Sequence, residues 1–273
     1  MKNYYSILLL VFVFFITETT AQELYKLGAR SAALGHTSVT INDIWAYHHN
    51  PGMLGYLEQG GVGVYYENRF FLRELNYQGL TFAQPLKKGT ISAGAQFSGF
   101  ENYRSARAGA GYSLRLTDYI AMGVQVNYLN VSIPGGYGTK HGISGEFGLA
   151  TRIGKKWMIG ASIYNITRTR FASYQNERFA SVIRLGASYL ISQKLTASAE
   201  FEKSIISPLQ IKGALEYQPI EKLFLRAGVH SSPLEISFGL GYNLKGLRID
   251  LASSYKQIIG FTTGVSIHYC WGT

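Results

Sequence analysis

The chain has 273 residues, 47% of them hydrophobic and 15% charged, with 31 glycines, 20 tyrosines and 15 phenylalanines. So few charges exclude a disordered chain and argue against a cytosolic enzyme, and the small-plus-aromatic mix suits strands better than helices. The formal net charge of +10 fits a nucleic-acid binder or a protein beside anionic lipid, and the compartment decides between them.

The first residues settle the compartment. Lys2 precedes an unbroken apolar run over residues 7–16, and Thr19, Thr20 and Ala21 offer a small-residue cleavage site, so residues 1–21 read as a signal peptide with mature chain from Gln22. Export removes nucleic acid as a partner. The run is too short for a membrane-spanning helix, and no later segment offers 18 consecutive apolar residues. Residues 22–60 alternate weakly; residues 29–34 and 41–49 are each expected to form a short helix before Pro51.

From residue 61 to 273 the sequence alternates with period two. Ile120, Met122, Val124, Val126 and Tyr128 share one face against Ala121, Gly123, Gln125 and Asn127, and Ile236, Phe238, Leu240 and Tyr242 alternate with Ser237, Gly239 and Gly241. Fourteen such segments begin near Gly61, Glu74, Gly89, Ala106, Tyr119, His141, Lys156, Phe179, Lys194, Leu209, Lys222, Glu235, Gly246 and Gly260; the second loses phase between Gly79 and Leu80. Most are long enough to cross a bilayer as tilted strands, about 9–11 residues. Tight turns such as Thr117-Asp118 and Gly154-Lys155 alternate with longer loops, as in an outer-membrane barrel. The expected fold is therefore a 14-stranded antiparallel transmembrane β-barrel, all-β, with residues 22–60 as a hatch filling it or capping its periplasmic mouth. A soluble sandwich would share the alternation, but faces rich in glycine and serine suit a crowded interior better than a solvated exterior. An even strand number puts both termini on the periplasmic side.

The hatch carries Gly28-Ala29-Arg30-Ser31-Ala32-Ala33-Leu34-Gly35, then Val39, Asp43 and Ala46, then Asn50-Pro51-Gly52-Met53-Leu54. This wording resembles the N-terminal signature of the PorV/PorQ-type barrels of Bacteroidota, relatives of FadL-type fatty-acid channels, with Gly52 where alanine is usual and His36 where a second glycine is common. The resemblance implies a fourteen-stranded outer-membrane barrel with an N-terminal plug, and a non-enzymatic accessory role in an outer-membrane protein-export (type IX secretion-like) or assembly complex. The alternative it leaves is a FadL-like transporter of small hydrophobic compounds. Arg30, Gly35, Asp43, Asn50, Pro51 and Gly52 form the hatch motif. Asn50-Pro51-Gly52 reads as a turn in which proline fixes φ, glycine permits positive φ and asparagine bonds the following backbone.

With the apolar registers toward lipid, the opposite registers place Arg107, Arg115, Arg152, Arg184, Lys212, Arg226 and Arg248 in the lumen with Glu146, Glu200, Glu202, Glu216 and Asp250. Charges confined together pair, because an isolated buried charge costs several kcal/mol, so an ion-pair ladder locking hatch to wall is expected. Such a lumen is the reverse of an apolar conduit. Ala93 and Ala95, followed by Ala106, Ala108 and Ala110 on the next strand, make a smooth lipid-facing patch for a neighbouring protein. No cofactor is expected. His48 and His49 near Asp43 are the only histidines close together, without the spacing of a metal-binding helix face. His141 and Ser144 fall on opposite strand faces and cannot form a nucleophile–base pair. Cys270 is the only cysteine, so no internal disulfide forms. Tyr119, Tyr128, Tyr217, Tyr242, Tyr255, Tyr269 and Trp271 sit near strand ends as an aromatic girdle, and the last strand resembles a C-terminal insertion signal.

Overall fold

A computed structural model describes residues 26–100, 103–133, 138–170, 178–205, 207–257 and 259–271. The signal peptide expected over residues 1–21 lies outside them. Fourteen strands close into an antiparallel barrel in sequence order: β1 Gly60–Arg69, β2 Asn76–Leu86, β3 Gly89–Phe100, β4 Tyr103–Arg115, β5 Ile120–Ile133, β6 Gly138–Ile153, β7 Trp157–Tyr164, β8 Val182–Ser192, β9 Leu195–Ser204, β10 Gln210–Ile220, β11 Leu223–His230, β12 Glu235–Leu244, β13 Leu247–Lys256 and β14 Gly260–Trp271. Pairing of β1 with β14, from Gly60 opposite Trp271 to Arg69 opposite Thr262, leaves no free sheet edge.

The pleat dictates which face each residue takes, and the outcome is an apolar outside. Val126 is 60% and Ile236 55% exposed, whereas Glu200 on an inward register is fully buried. A soluble sandwich has the opposite polarity; this is the architecture of an integral outer-membrane barrel. The described residues contain no helix long and apolar enough to cross a membrane.

The second strand differs from expectation. β2 keeps one unbroken phase, with Tyr77, Gly79, Thr81 and Ala83 inward, and no slip between Gly79 and Leu80. Tyr77, an aromatic on the inward face, interrupts the apolar pattern of this strand; the Arg69 guanidinium lies 4.3 Å from its ring centre.

The segment before β1 runs through the lumen. A helix, α1 (Ala29–Ala33), is followed by 3₁₀ turns at Ile44–His48 and Pro51–Tyr56. Gly35 (φ 59°) ends α1 in the left-handed region: its N–H donates to Ala32 O and the next, from His36, to Ser31 O, satisfying two otherwise orphaned carbonyls. Asp43 caps the first 3₁₀ turn by accepting from Trp45 N at 2.9 Å. Leu27, Ile44, Trp45, Tyr47, Met53 and Leu54 form the apolar core, meeting inward wall residues Tyr65, Ala83, Ala121 and Ala150. The core of this molecule is thus the hatch inside the barrel.

Candidate functional site

The hatch–wall interface is the candidate site, and it has two seams. Along β8 to β13 the side-chain contacts are ionic, with α1 and the turn after it also lying close against Gly228 and Gly239. Arg30 makes a bidentate fork to Glu216 (2.9 and 2.6 Å) and reaches Asp43 at 3.0 Å. Glu216 also accepts from Arg226 (2.6 Å), which bonds Asp250 (2.8 Å), itself 3.2 Å from Arg248. Burial pulls the Arg30 pKa down, but Glu216 and Asp43 outweigh it and hold the guanidinium well above its usual range.

A second ionic cluster lies nearer the long loops. Lys212 bonds Glu200 (2.7 Å) and Glu202 (2.8 Å), and Arg184 bonds Glu202 (2.9 Å). The hatch completes it: Glu200 accepts the backbone N–H groups of Ser38 and Val39 at 2.6 and 2.8 Å, Arg184 donates to His49 O at 3.0 Å, and Lys26 pairs with Glu202 at 2.9 Å. Burial pulls the Lys26 ammonium down to about 7 against the attraction of Glu202.

Along β2 to β7 the contacts are made with backbone and glycine. Asn50 donates to Val39 O (2.8 Å) and Leu149 O (3.1 Å) while accepting from Gly52 N (3.0 Å); Ser113 donates to Pro51 O at 2.6 Å and Thr81 to Ile44 O at 3.0 Å. A side chain on Gly52 would meet the Gly148 carbonyl carbon at 2.7 Å, and one on Gly148 would strike the Asn50 side chain. Close approach, not positive φ, therefore requires Gly52, which is absent from the left-handed residues; the sequence reading gave it the wrong reason. A buried ion pair also lies on this side, Arg107 with Glu146 at 3.3 Å, Glu146 being held by Asn127 at 2.8 Å.

The charges expected in one ladder therefore stand in three separate clusters, and two are outside all of them. Arg115 and Arg152 occupy inward registers at the short-turn mouth, their guanidiniums 5.8 and 4.1 Å from the Tyr56 ring centre. Arg115 is 43% exposed and pairs with the exposed Asp118. The lumen opens to solvent there, so neither needs a buried partner. Sequence reasoning missed Lys26 and the upper group of His230, Glu235 and Lys256, in which Lys256 is 3.1 Å and His230 3.4 Å from Glu235. An inward register would have flagged the last three; nothing local marks Lys26.

Among the described residues, small spaces of about 70 Å³ and about 20 Å³ lie at the long-loop end of the lumen. Lys26, His36, Arg69, Glu202, His230, Glu235 and Lys256 are among the residues lining the larger. An engineered apolar cavity of roughly 150 Å³ holds benzene; the larger of these spaces is smaller and lined mainly by polar and charged groups, so among the described residues the hatch fills the lumen. Asp43 is taken by Arg30 and Trp45, and no group of three or more potential metal ligands occurs among the described residues.

On the outer wall Ala93 pairs with Ala110 and Ala95 with Ala108, while Ala106 lies opposite Phe97. Leu80 and Phe82 of β2 and Val126 and Tyr128 of β5 flank this shallow basin.

No protein-family model matches the sequence, and no curated protein is similar to it. Solved structures are. The toluene transporter TodX of P. putida superposes with a TM-score of 0.72 at 15% identity, over 92% of this chain and 100% of that one. The monoaromatic hydrocarbon channel CymD gives 0.70 at 13% identity, covering 93% and 100%. A Pseudomonas aeruginosa FadL homologue gives 0.60 at 11%, covering 88% and 97%. The chain has the fold of these outer-membrane channels. The FadL-like part of the expectation from sequence thus has a structural counterpart, and the neighbours are channels and transporters rather than enzymes.

Proposed function

We propose that the protein is a hatch-gated outer-membrane conduit for small hydrophobic molecules. The observation that carries this reading is a hatch threaded through the lumen of a channel-type barrel and held by non-covalent contacts alone, so that displacing it opens a path without breaking the wall. The closed state described above is then the resting state, and passage requires the Arg30 and Glu200 contacts to part. We place the barrel ends Gly60 and Trp271 at the periplasmic face, consistent with short turns on that side. The test is uptake of a monoaromatic hydrocarbon by cells with and without the protein. Accelerated uptake that a hatch-deleted variant increases further is expected; uptake indifferent to the protein defeats the reading.

A second reading, an accessory subunit of a protein-export complex, draws on the PorV/PorQ-like wording of the hatch, the ionic lumen and the alanine basin. A large partner that co-purifies with the wild type and dissociates on Ala108→Trp would favour it.

A further inference from the structure

The hatch holds two adjacent buried histidines: the His48 ring meets the Arg107 guanidinium, and the His49 carbonyl accepts from Arg184 at 3.0 Å, which brings a second cation beside it. His48 is fixed by two contacts: Nε2 lies 3.2 Å from Leu80 O and Nδ1 3.4 Å from Arg107 Nη2. An arginine only donates, so Nδ1 accepts and the proton sits on Nε2. The neutral ring is fully used, and a second proton would set N–H against N–H beside a guanidinium. Around the ring stand Trp45 (6.0 Å, stacked) and Tyr47 (4.7 Å, edge-on) from the hatch and Arg107 from β4, whose own partners are Glu146 of β6 and the Tyr164 ring of β7.

His49 is 1% exposed, and neither of its ring nitrogens has a hydrogen-bond partner. The charges acting on it are Arg184 of β8, then His48, His36 and Lys26 of the hatch. An unsatisfied buried imidazole weakens the docked hatch relative to an apolar side chain of similar volume. Stability therefore does not explain its presence.

We propose that His48 and His49 make the hatch a proton-sensitive latch: protonating them sets positive charge against Arg107 and Arg184 in a dry lumen and drives the hatch off the wall. The inference rests on the hatch-gated reading for its purpose but on geometry for its mechanism. Burial first, then the neighbouring arginines, holds both rings well below their ordinary value of 6.5. The sign follows. At these two rings the docked hatch binds fewer protons than the released one, so their contribution to docking is fully present above pH 6.5 and is lost as pH falls toward the depressed values. Each histidine contributes up to about tenfold per pH unit to the released fraction, and the two together up to about a hundredfold.

Release is read directly in full-length protein in lipid vesicles, with Cys270→Ser and Ala46→Cys providing one buried reporter thiol. Labelling by a membrane-impermeant thiol reagent is compared between about pH 7.5 and about pH 5, above the ordinary carboxylate range, and normalised to unfolded protein at each pH. Acid-accelerated labelling that becomes shallower in His49→Gln and shallower again in His48→Gln/His49→Gln, down to what His36 and His268 leave, is expected. His49→Gln removes no hydrogen bond, so it keeps the test decisive if the double variant fails to fold by heat-modifiable gel mobility. Labelling that does not respond to acid, or that responds equally in both variants, overturns the latch. Hydrocarbon flux measured on the same vesicles separates the readings: release without flux at any pH defeats the conduit and leaves the latch standing.

Discussion

The two seams hold the same hatch by different physics. Along β8 to β13, long charged side chains reach inward and grip Arg30, Lys26 and the backbone of Ser38 and Val39. Along β2 to β7 the wall withdraws its side chains, and the 3₁₀ turn Pro51–Tyr56 lies against Gly123 and Gly148. An ionic seam has desolvation to overcome and yields when a partner changes charge; a glycine seam depends on shape and yields only to bulk. Close glycine approaches occur on both sides, at Gly123 and Gly148 and at Gly228 and Gly239, so what sets the β8–β13 side apart is its charge.

The largest effect is expected from Glu216→Ala, which leaves Arg30 with Asp43 alone and Arg226 with Asp250 alone; thermal denaturation in detergent should show a loss of about 3–5 kcal/mol. Replacing Arg30 and Glu216 together by Met and Leu should recover much of it, and a double variant no better than the single one would break the ionic account of this seam. On the other side, Gly148→Val should cost about 1–3 kcal/mol by overpacking and make the hatch protease-sensitive, with no dependence on salt. Asn50→Ala should cost about 1–3 kcal/mol by leaving Val39 O and Leu149 O without their donor. Arg152→Ala, at the wet mouth, should change stability by less than about 1 kcal/mol; a loss as large as that of Glu216→Ala would put this residue back into the ionic network.

Much of the barrel was legible beforehand. Alternation marked the outward Val124, Val126, Ile236 and Phe238 and the inward Arg184, Glu200, Glu202 and Lys212, because the pleat gives every strand two faces whatever surrounds it. It failed at Tyr77, where an aromatic points inward. Register alone groups Arg115 and Arg152 with Arg226, although each of the first two lies two residues before a tight turn and so at the mouth. The hatch motif was visible as wording; the reason for Gly52 was not, because its neighbour Gly148 arrives from a distant strand.

The sequence by itself determined the strand count, the apolar exterior and the presence of an irregular segment needing shelter, all consequences of local periodicity and composition. Only the tertiary structure decided which charge meets which, that Lys26 closes the upper cluster, and that His48 and His49 stand against Arg107 and Arg184. Those contacts depend on strand tilt, barrel closure and the path of the hatch, which bring together residues far apart in sequence, and a period of two carries no information about any of them.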